Sequence, residues 1–494
     1  LQAQPLSFTT FARSYPGLKF RGSFSGPLRI RGTMDDLDVT ASLSGDAGSM
    51  AVNGNFDLDT LSGLSGRGTA SVADLDVQAL LDQQTLPSTS LAGRAAFDMH
   101  GDSLATLAGS LNIDLDQSRV EPVDVTGASA ALTFGNGLVH VDSLSIASSA
   151  AHVTARGALG LAPTASDSLR YTVAVDSLGG LRPWLLPRTV GDSALPDSAV
   201  RLTERDLERR QVRDSRDGTV RTEGVLTGSI DTLRARGMIA GSDLFASGNR
   251  ADTVSGHYDL AGMPNDVRGT VAVRADSVIL ATVAVDSMQA QLTFANRSHG
   301  ELAVAAAGSR RAGTFVAGSH LAFDRTLDSL RLVVDSLGGL IDAHQWGIVA
   351  PATIVFDTVG THLDSLVAHS DAGGAVALHA DLPNVLPVAV SLRADSVSLG
   401  DLSSVAQLTT PVAGTATGTL EISGPRSAPK MEMGARFQDV SFGTVAFPYF
   451  TMNGTYADSR LDTKMTVFRH DTAVMAFNGS WPVNLALVPV QHRL

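Results

Sequence analysis

The 494-residue sequence contains no cysteine and little of several other residue types. Without cysteine the chain has no disulfide, no thiol nucleophile and no thiolate metal ligand. Aromatic residues make up 5% and charged residues 18%, whereas about 25% is usual for charged residues. Lysine occurs only at Lys19, Lys430 and Lys464, and the formal net charge is −13. Because nucleic-acid binding needs a basic surface, we expect no nucleic-acid partner.

Long apolar segments are missing too. The sequence contains no run of 18 or more apolar residues, the length that a transmembrane helix needs. The sequence has no initiator methionine and no signal peptide, so we expect an internal or processed fragment whose membrane anchor lies elsewhere. The apolar fraction is nevertheless 44%, which excludes a disordered chain. A single core stops growing near ~250–300 residues, so the length predicts several domains or an elongated repeat.

Apolar and polar residues alternate along most of the chain. In residues 110–116 (SLNIDLD), every second side chain is apolar and falls on one side of an extended strand. The same alternation occurs in residues 171–176, 267–274, 388–393, 420–422 and 431–433. Short helices are predicted only at residues 77–84 and 399–408. Hairpin turns are predicted at Asn53-Gly54, Asn136-Gly137, Asn453-Gly454 and Asn478-Gly479. The prediction is an all-β, mostly antiparallel sheet with few short helices.

Short matches between distant segments indicate an internal duplication. The matching segments, in the same order along both copies, are 97–101 with 258–262, 109–113 with 269–273, 132–134 with 292–294, and 176–181 with 335–340. Residues 201–217 carry mixed arginine and acid with few apolar residues, which indicates a linker or helical insertion. We predict a first β-segment at 1–181, the charged insertion at 182–222, the second copy at 223–347 and a last β-segment at 348–494.

No pattern in the sequence predicts catalysis. The densest histidine group, His344, His362, His369 and His379, lacks the spacing that places two metal ligands on one face. The sequence contains no Gly-x-Ser-x-Gly elbow and no phosphate-binding glycine loop with its helix and lysine. The tripeptide Asp-Ser-Leu/Val/Met recurs too often for a catalytic carboxylate, and we interpret it as a polar position within or at the end of strands. We expect no enzyme activity, no metal and no cofactor.

A sheet with one apolar face has to cover that face. It can pack on a second sheet, wind into a filled solenoid, or stay partly open and hold another apolar object. Small aliphatic side chains suit acyl chains, which need contact without hydrogen bonds. The candidate contacts are Leu111, Ile113, Leu115, Val173, Val175, Val271, Val273, Val388, Val390 and Leu392.

Two stretches resemble the AsmA/TamB group of bacterial envelope proteins. Residues 93–115 (GRAAFDMHGDSLATLAGSLNIDL) resemble the AsmA-type strand, Gly-Asp-Ser-Leu turn, short Leu-rich segment and second strand. Residues 412–442 (VAGTATGTLEISGPRSAPKMEMGARFQDVSF) are similar to the TamB pattern of Gly-rich strand, Ser-Gly-Pro turn, Ala-Pro pair and returning strand. Residues 224–244 and 22–43 follow the second pattern more loosely.

The resemblance implies an elongated β-sheet curled into an open groove (a β-taco) that holds phospholipid acyl chains. It implies a non-enzymatic periplasmic protein that bridges the inner and outer membranes, for phospholipid transport or outer-membrane biogenesis. The protein would be anchored in the inner membrane by a region outside this segment. It would contact an outer-membrane barrel of the BamA type through regions that also lie outside it. Two alternatives stay open, namely a structural or adhesive β-solenoid on the cell surface and a chain of β-sandwich binding modules.

Overall fold

The computed structural model of the chain describes residues 2–7, 23–58, 64–81, 87–121, 123–178, 218–246, 249–280, 283–296, 298–310, 313–326, 329–385, 387–406, 408, 410, 412–469, 472–485 and 487. These residues form thirty strands and two short helices. The chain divides into two compact units. Unit 1 comprises Leu1–Ala246 and Thr253–Val267, and unit 2 comprises Ser247–Asp252 and Arg268–Leu494.

Unit 1 contains the first fourteen strands, helix α1 and most of the fifteenth strand. Their bounds are β1 (Gln2–Ser7), β2 (Ser23–Thr33), β3 (Asp36–Gly45), β4 (Gly48–Asp57), β5 (Ser65–Leu75), α1 (Val77–Leu81), β6 (Thr89–His100), β7 (Ala108–Leu115), β8 (Ser118–Val120), β9 (Val123–Gly135), β10 (Leu138–Ser148), β11 (Ala151–Gly160), β12 (Asp167–Val175), β13 (Thr219–Gly228), β14 (Leu233–Ala246) and β15 (Asn249–Met263).

Unit 2 contains the remaining strands and helix α2. Their bounds are β16 (Arg268–Leu280), β17 (Val283–Phe294), β18 (His299–Arg310), β19 (Gly313–Arg325), β20 (Ser329–Ile341), β21 (His344–Ile348), β22 (Ala352–Asp357), β23 (Gly360–Ser370), β24 (Ala375–Pro383), β25 (Val388–Ser398), α2 (Leu399–Val405), β26 (Val412–Gly424), β27 (Lys430–Phe442), β28 (Val445–Ala457), β29 (Arg460–Arg469) and β30 (Thr472–Pro482).

Within each unit the strands pair antiparallel in chain order, so each sheet is a meander. Two short strands depart from this order: β8 pairs with β6 and β9, and β21 pairs with β20 and β23. The pairings among the described strands contain no parallel ladder, whereas a β-solenoid stacks parallel strands. The prediction of an all-β, mostly antiparallel sheet with few short helices is confirmed.

The predicted charged insertion lies mainly outside the described residues. β12, which precedes it, pairs with β13, which follows it, in an unbroken register from Asp167↔Gly228 to Val175↔Val220. β13 begins at Thr219, which falls within the range predicted for the insertion. The sheet of unit 1 therefore continues across the insertion. The predicted boundaries of the four segments stay predictions.

Both helices begin at the predicted residue, α1 at Val77 and α2 at Leu399. The side chain of Ser398 caps α2 by accepting a hydrogen bond from the backbone N–H of Asp401, at 3.2 Å. Each helix directly follows a strand, α1 after β5 and α2 after β25. α1 ends at Leu81, and residues 82–84 of the predicted helix lie outside the described part of the chain.

One of the four predicted Asn-Gly turns is confirmed and three are wrong. Asn136 and Gly137 connect β9 to β10 with φ of 55° and 71°. The other three dipeptides lie inside strands β4, β28 and β30. Their glycines lie on the apolar face under large neighbours. A Cβ atom on Gly479 would lie 2.0 Å from the Trp481 ring, and one on Gly454 would lie 2.8 Å from Met433. Glycine at these positions makes room for an overlying side chain.

Several Asp-Ser dipeptides mark β-bulges. The register shifts at Asp142-Ser143 in β10, at Asp364-Ser365 in β23 and at Asp395-Ser396 in β25. Ser396 adopts φ of 51°, as the extra residue of a bulge can. These dipeptides are polar positions within strands, as predicted. The alternation of apolar and polar residues in the sequence did not predict that they form bulges.

The two predicted copies of the repeat share a cross-strand register. In unit 1, Leu111 of β7 lies opposite Leu132 of β9. In unit 2, Val271 of β16 lies opposite Leu292 of β17, which is the same pair 160 positions later. The matching glycines Gly109 and Gly269 have φ of 125° and 131°. The sequence similarity thus coincides with equal strand pairing.

Candidate functional site: an apolar sheet face

One face of the unit 1 sheet is apolar from β2 to β14. Antiparallel pairing sets side chains of successive strands into rows that cross the sheet. The row through Leu111 consists of Ile30, Val39, Gly54, Gly68, Phe97, Leu111, Leu132, Val141, Gly157, Leu169, Leu226 and Ala235. No member of this row carries a polar side chain.

The adjacent rows bring the other predicted residues of unit 1 onto the same face. Ile113 lies between Ala95 and Ala130. Leu115 and Val173, on strands that are not neighbours, belong to one row, which consists of Leu43, Met50, Val72, Gly93, Leu115, Ala128, Ile146, Val153, Val173, Thr222 and Ile239. Val175 lies beside this row, opposite Val220. The strand register therefore places residues that were predicted separately from the sequence on one face of the sheet.

Unit 2 has an apolar face of the same kind. The row through Val390 consists of Phe294, Gly300, Phe323, Leu332, Ile354, Leu363, Ala380, Val390, Ile422, Met431, Tyr456, Leu461 and Trp481. Leu392 lies between Leu378 and Leu420. Val271 and Val273 lie opposite Leu292 and Ala290.

Nine of the ten predicted contacts are partly exposed, and Val388 is not. Leu111, Ile113 and Val273 keep part of their surface open to solvent, as the other six do. Val388 is 2% exposed and belongs to the buried core. It lies opposite Gly424 at the start of β25, and Pro429 in the following turn is also fully buried. Val388 is therefore a packing residue that no ligand can reach.

Ion pairs lie on the opposite face of the sheet. Arg67 of β5 lies directly opposite Asp98 of β6, with 2.6 Å between Nη2 and Oδ2. Asp259 of β15 accepts hydrogen bonds from Arg234 and Arg236, and these hold the pKa of its carboxyl at about 2. Such exposed pairs contribute little to stability and keep this face solvated. The two faces thus differ sharply in polarity.

One polar cluster interrupts the apolar face of unit 1. Tyr258, 7% exposed, bonds to the hydroxyls of Tyr171 and Thr222. Its hydroxyl lies over Gly224 and Gly237, where an added Cβ would approach it to 2.8 and 2.4 Å. Burial raises the pKa of the Tyr171 hydroxyl. All three hydroxyls are satisfied within the protein, so this cluster fixes β12, β13 and β15 together.

Larger side chains occupy the apolar face at several places in each unit. In unit 1 a depression of about 270 Å³ is lined by residues that include Phe56, Phe97 and Met99. In unit 2 the rings of Phe437 and Phe450 stack with their centroids 4.5 Å apart. Apart from Phe97, the row through Leu111 consists of Ile, Val, Leu, Ala and Gly, so its side chains offer no hydrogen-bond donor to a ligand.

A buried carboxylate holds α2 on the unit 2 sheet. Asp401, 3% exposed, accepts hydrogen bonds from Nε1 of Trp346 and Nδ1 of His344, both at 2.7 Å. Ser404 donates a hydrogen bond to Asp342 in the turn between β20 and β21. Asp401 raises the pKa of His344, and Asp371 and Asp342 add to the shift. Sequence reasoning missed this cluster, because its partners lie more than 50 positions apart.

The His344–Asp401 contact should make unit 2 less stable at alkaline pH. Because the folded pKa of His344 is raised, the stabilisation is complete below ~6.5 and is lost as pH rises through the folded value. His344 is 38% exposed, so we expect less than about 1 kcal/mol after solvent screening. Thermal midpoints of the wild type and His344→Gln should differ at pH 6 and converge by pH 9. His369→Gln, at an exposed histidine of unit 2, is the control, and a constant difference across pH would contradict the prediction.

No metal site and no membrane helix is found in the described residues. No group of three or more His, Asp or Glu side chains there could hold a metal ion. Nor is any helix in this part of the chain long and apolar enough to cross a membrane. The comparisons with known proteins gave no match to a family profile, to a curated protein or to a solved structure.

Proposed function

We propose that this chain is a non-enzymatic periplasmic scaffold that carries phospholipid acyl chains on the apolar face of its sheet, between the inner and outer membranes. The observation that carries the proposal is the uninterrupted apolar row through Leu111, which crosses unit 1 from β2 to β14. Acyl chains need an extended apolar surface and no directional bond, and such rows supply it.

The partial exposure of the face supports a ligand rather than a closed core. In a β-sandwich the inward residues of two facing sheets cover each other. Here the apolar-face residues Leu111, Val173 and Val271 keep part of their surface open, although Leu169 of β12 is buried, and the pairings of each unit link its strands into one meander. An exposed contiguous apolar surface normally marks a binding site. Phospholipid headgroups would remain in water at the border of this face.

Crosslinking to lipid at two adjacent residues tests the proposal. Val273 lies on the apolar face of β16, and Arg274 lies on the other face, where it pairs with Asp276 at 2.9 Å. A photoreactive amino acid at each position, irradiated in cells, should give phospholipid adducts at 273 and none at 274. Adducts at both positions, or at neither, would count against the proposal.

A second candidate, outer-membrane biogenesis by strand pairing, is favoured by β30. This strand pairs only with β29 among the described residues, and every residue of it except Gly479 is exposed. Residues 472–482 contain no charged side chain, although charges usually protect a sheet edge. A photoreactive residue at Val474 should then capture a protein rather than a lipid, and lipid adducts alone would reject this candidate.

A further inference from the structure

Helix α2 has its polar side buried and its apolar side exposed. Asp401, Ser403 and Ser404 are 3–4% exposed, whereas Leu402 and Val405 are 49% and 37% exposed. A helix at the surface of a protein normally has the reverse arrangement. The hydrogen bonds of Asp401 and Ser404 hold the polar side on the sheet. The orientation is thus fixed by specific contacts, and it leaves aliphatic side chains facing outward.

The strands of unit 2 place other exposed apolar residues at the same end of the sheet as α2. β16, β20, β25 and β27 run in one direction, because an even number of antiparallel steps separates them. Their carboxyl ends therefore lie at the same end of the sheet. We call the exposed apolar residues there the apolar end, and they are Ile279, Leu280, Val316, Leu340, Leu402, Val405, Leu408, Phe442 and Val445.

The apolar end is exposed on both faces of the sheet. Val316 at the start of β19 lies directly opposite Leu340 near the end of β20, and they are 54% and 46% exposed. Trp346, which holds α2, lies opposite Gly339 and so on the other face. Phe442 and Val445, 55% and 52% exposed, close the β27–β28 hairpin. The members lie at five connections at this end of the sheet and form four clusters.

We propose that the apolar end of unit 2 rests on the surface of a phospholipid bilayer, a proposal that rests on the lipid-carrying function above. Charge favours an electroneutral lipid surface. The described residues that connect β27 to β28 are uncharged, and the single charged residue of α2, Asp401, is buried. The exposed charges in the described connections at this end include the acids Asp342 and Asp371, which disfavour an anionic surface, so the lipid surface that fits is an uncharged one.

The small contiguous area of each apolar cluster favours a bilayer over a protein partner. A standard protein interface buries ~800 Å² on each side in one well-packed patch. Each cluster of the apolar end holds two or three side chains, and polar residues such as Asp342 and Asp371 separate them. A bilayer interface accepts separate apolar groups at one level without complementary shape. Contact at this end would let acyl chains pass between the bilayer and the apolar face.

Flotation with phosphatidylcholine vesicles tests the proposal on the full chain. The wild type should float with the vesicles, and the bound fraction should not fall in 0.5 M salt, because no ion pair is involved. The variant Leu402→Ser/Val405→Ser/Phe442→Ser should reduce binding at least tenfold. The control Val359→Ser/Val385→Ser removes two exposed valines, 54% and 93% exposed, from the opposite end and should bind as the wild type does.

The outcomes separate this inference from the proposed function. Failure of the wild type to bind vesicles, or an equal loss in both variants, would overturn the bilayer contact. A dimer in solution that only the triple variant loses would assign the apolar end to a second copy of the chain and would also overturn it. Lipid adducts at Val273 report on the apolar face independently. Their absence alongside normal vesicle binding would reject the proposed function and leave the bilayer contact standing.

Discussion

Replacing Val271 and Leu292 together with aspartate is expected to reduce the phospholipid bound to the chain at least tenfold. The two residues lie opposite each other on β16 and β17, in the apolar face of unit 2. Two carboxylates at this point would lose hydration against an acyl chain, and each such loss costs several kcal/mol. A tenfold effect requires only about 1.4 kcal/mol. Phospholipid per mole of purified protein, extracted and quantified by mass spectrometry, measures the effect.

The neighbouring cross-strand pair supplies a matched control. Ala272 lies opposite Gln291 one position along the same two strands, with side chains on the other face. Ala272→Asp/Gln291→Asp adds the same charge to the same strands and should retain its phospholipid. Thermal melting followed by circular dichroism checks that both variants fold. Equal losses in the two variants would mean that charge, rather than the apolar face, determines lipid binding.

Replacing Val388 with aspartate should destabilise unit 2 by about 3–4 kcal/mol, because the substitution buries an unpaired carboxylate and leaves poorer packing. Val388 is 2% exposed. At about 2–4 °C per kcal/mol for a unit of this size, the thermal midpoint should fall by roughly 6–16 °C. Val385→Asp introduces the same charge three residues earlier, at a side chain that is 93% exposed, and should melt with the wild type.

The outcome at Val388 also decides its role. If Val388→Asp melts normally and instead loses phospholipid, the residue contacts the ligand and our assignment to the core is wrong. If the midpoint falls and phospholipid remains bound at low temperature, the residue is structural. Leu392→Asp, on the partly exposed part of the same strand, should show the reverse pattern, with the larger loss in bound phospholipid.

The positions of the strands, and which residues share a face of the sheet, followed from the alternation of the sequence. The segment containing Leu111, Ile113 and Leu115 lies in β7 as predicted, and the two helices begin at Val77 and Leu399. These features depend on neighbours in the chain, so a local pattern contains the information. The internal repeat also gave information about contacts between distant residues, because the matching segments at Leu132 and Leu292 have the same strand pairing.

The features that the sequence did not predict depend on contacts between distant residues. Asn478-Gly479 has the composition of a hairpin turn, but the ring of Trp481 covers the glycine within β30. Val388 alternates like its neighbours, and only the packing at its end of β25 shows that it is buried. The bond of His344 to Asp401 joins residues that carry no shared local motif. The periodicity of the sequence predicts on which face of the sheet a side chain lies, but not how deeply it is buried.

A crosslinking scan along β7 tests the central claim most directly. Six consecutive positions, from Ser110 to Leu115, alternate between the two faces of the sheet, since Leu111, Ile113 and Leu115 share the apolar face. With a photoreactive residue at each position in turn, phospholipid adducts should form at 111, 113 and 115 and be absent at 110, 112 and 114. Adducts without this period of two, or no adducts at any of the six positions, would contradict the account of an apolar face that carries lipid.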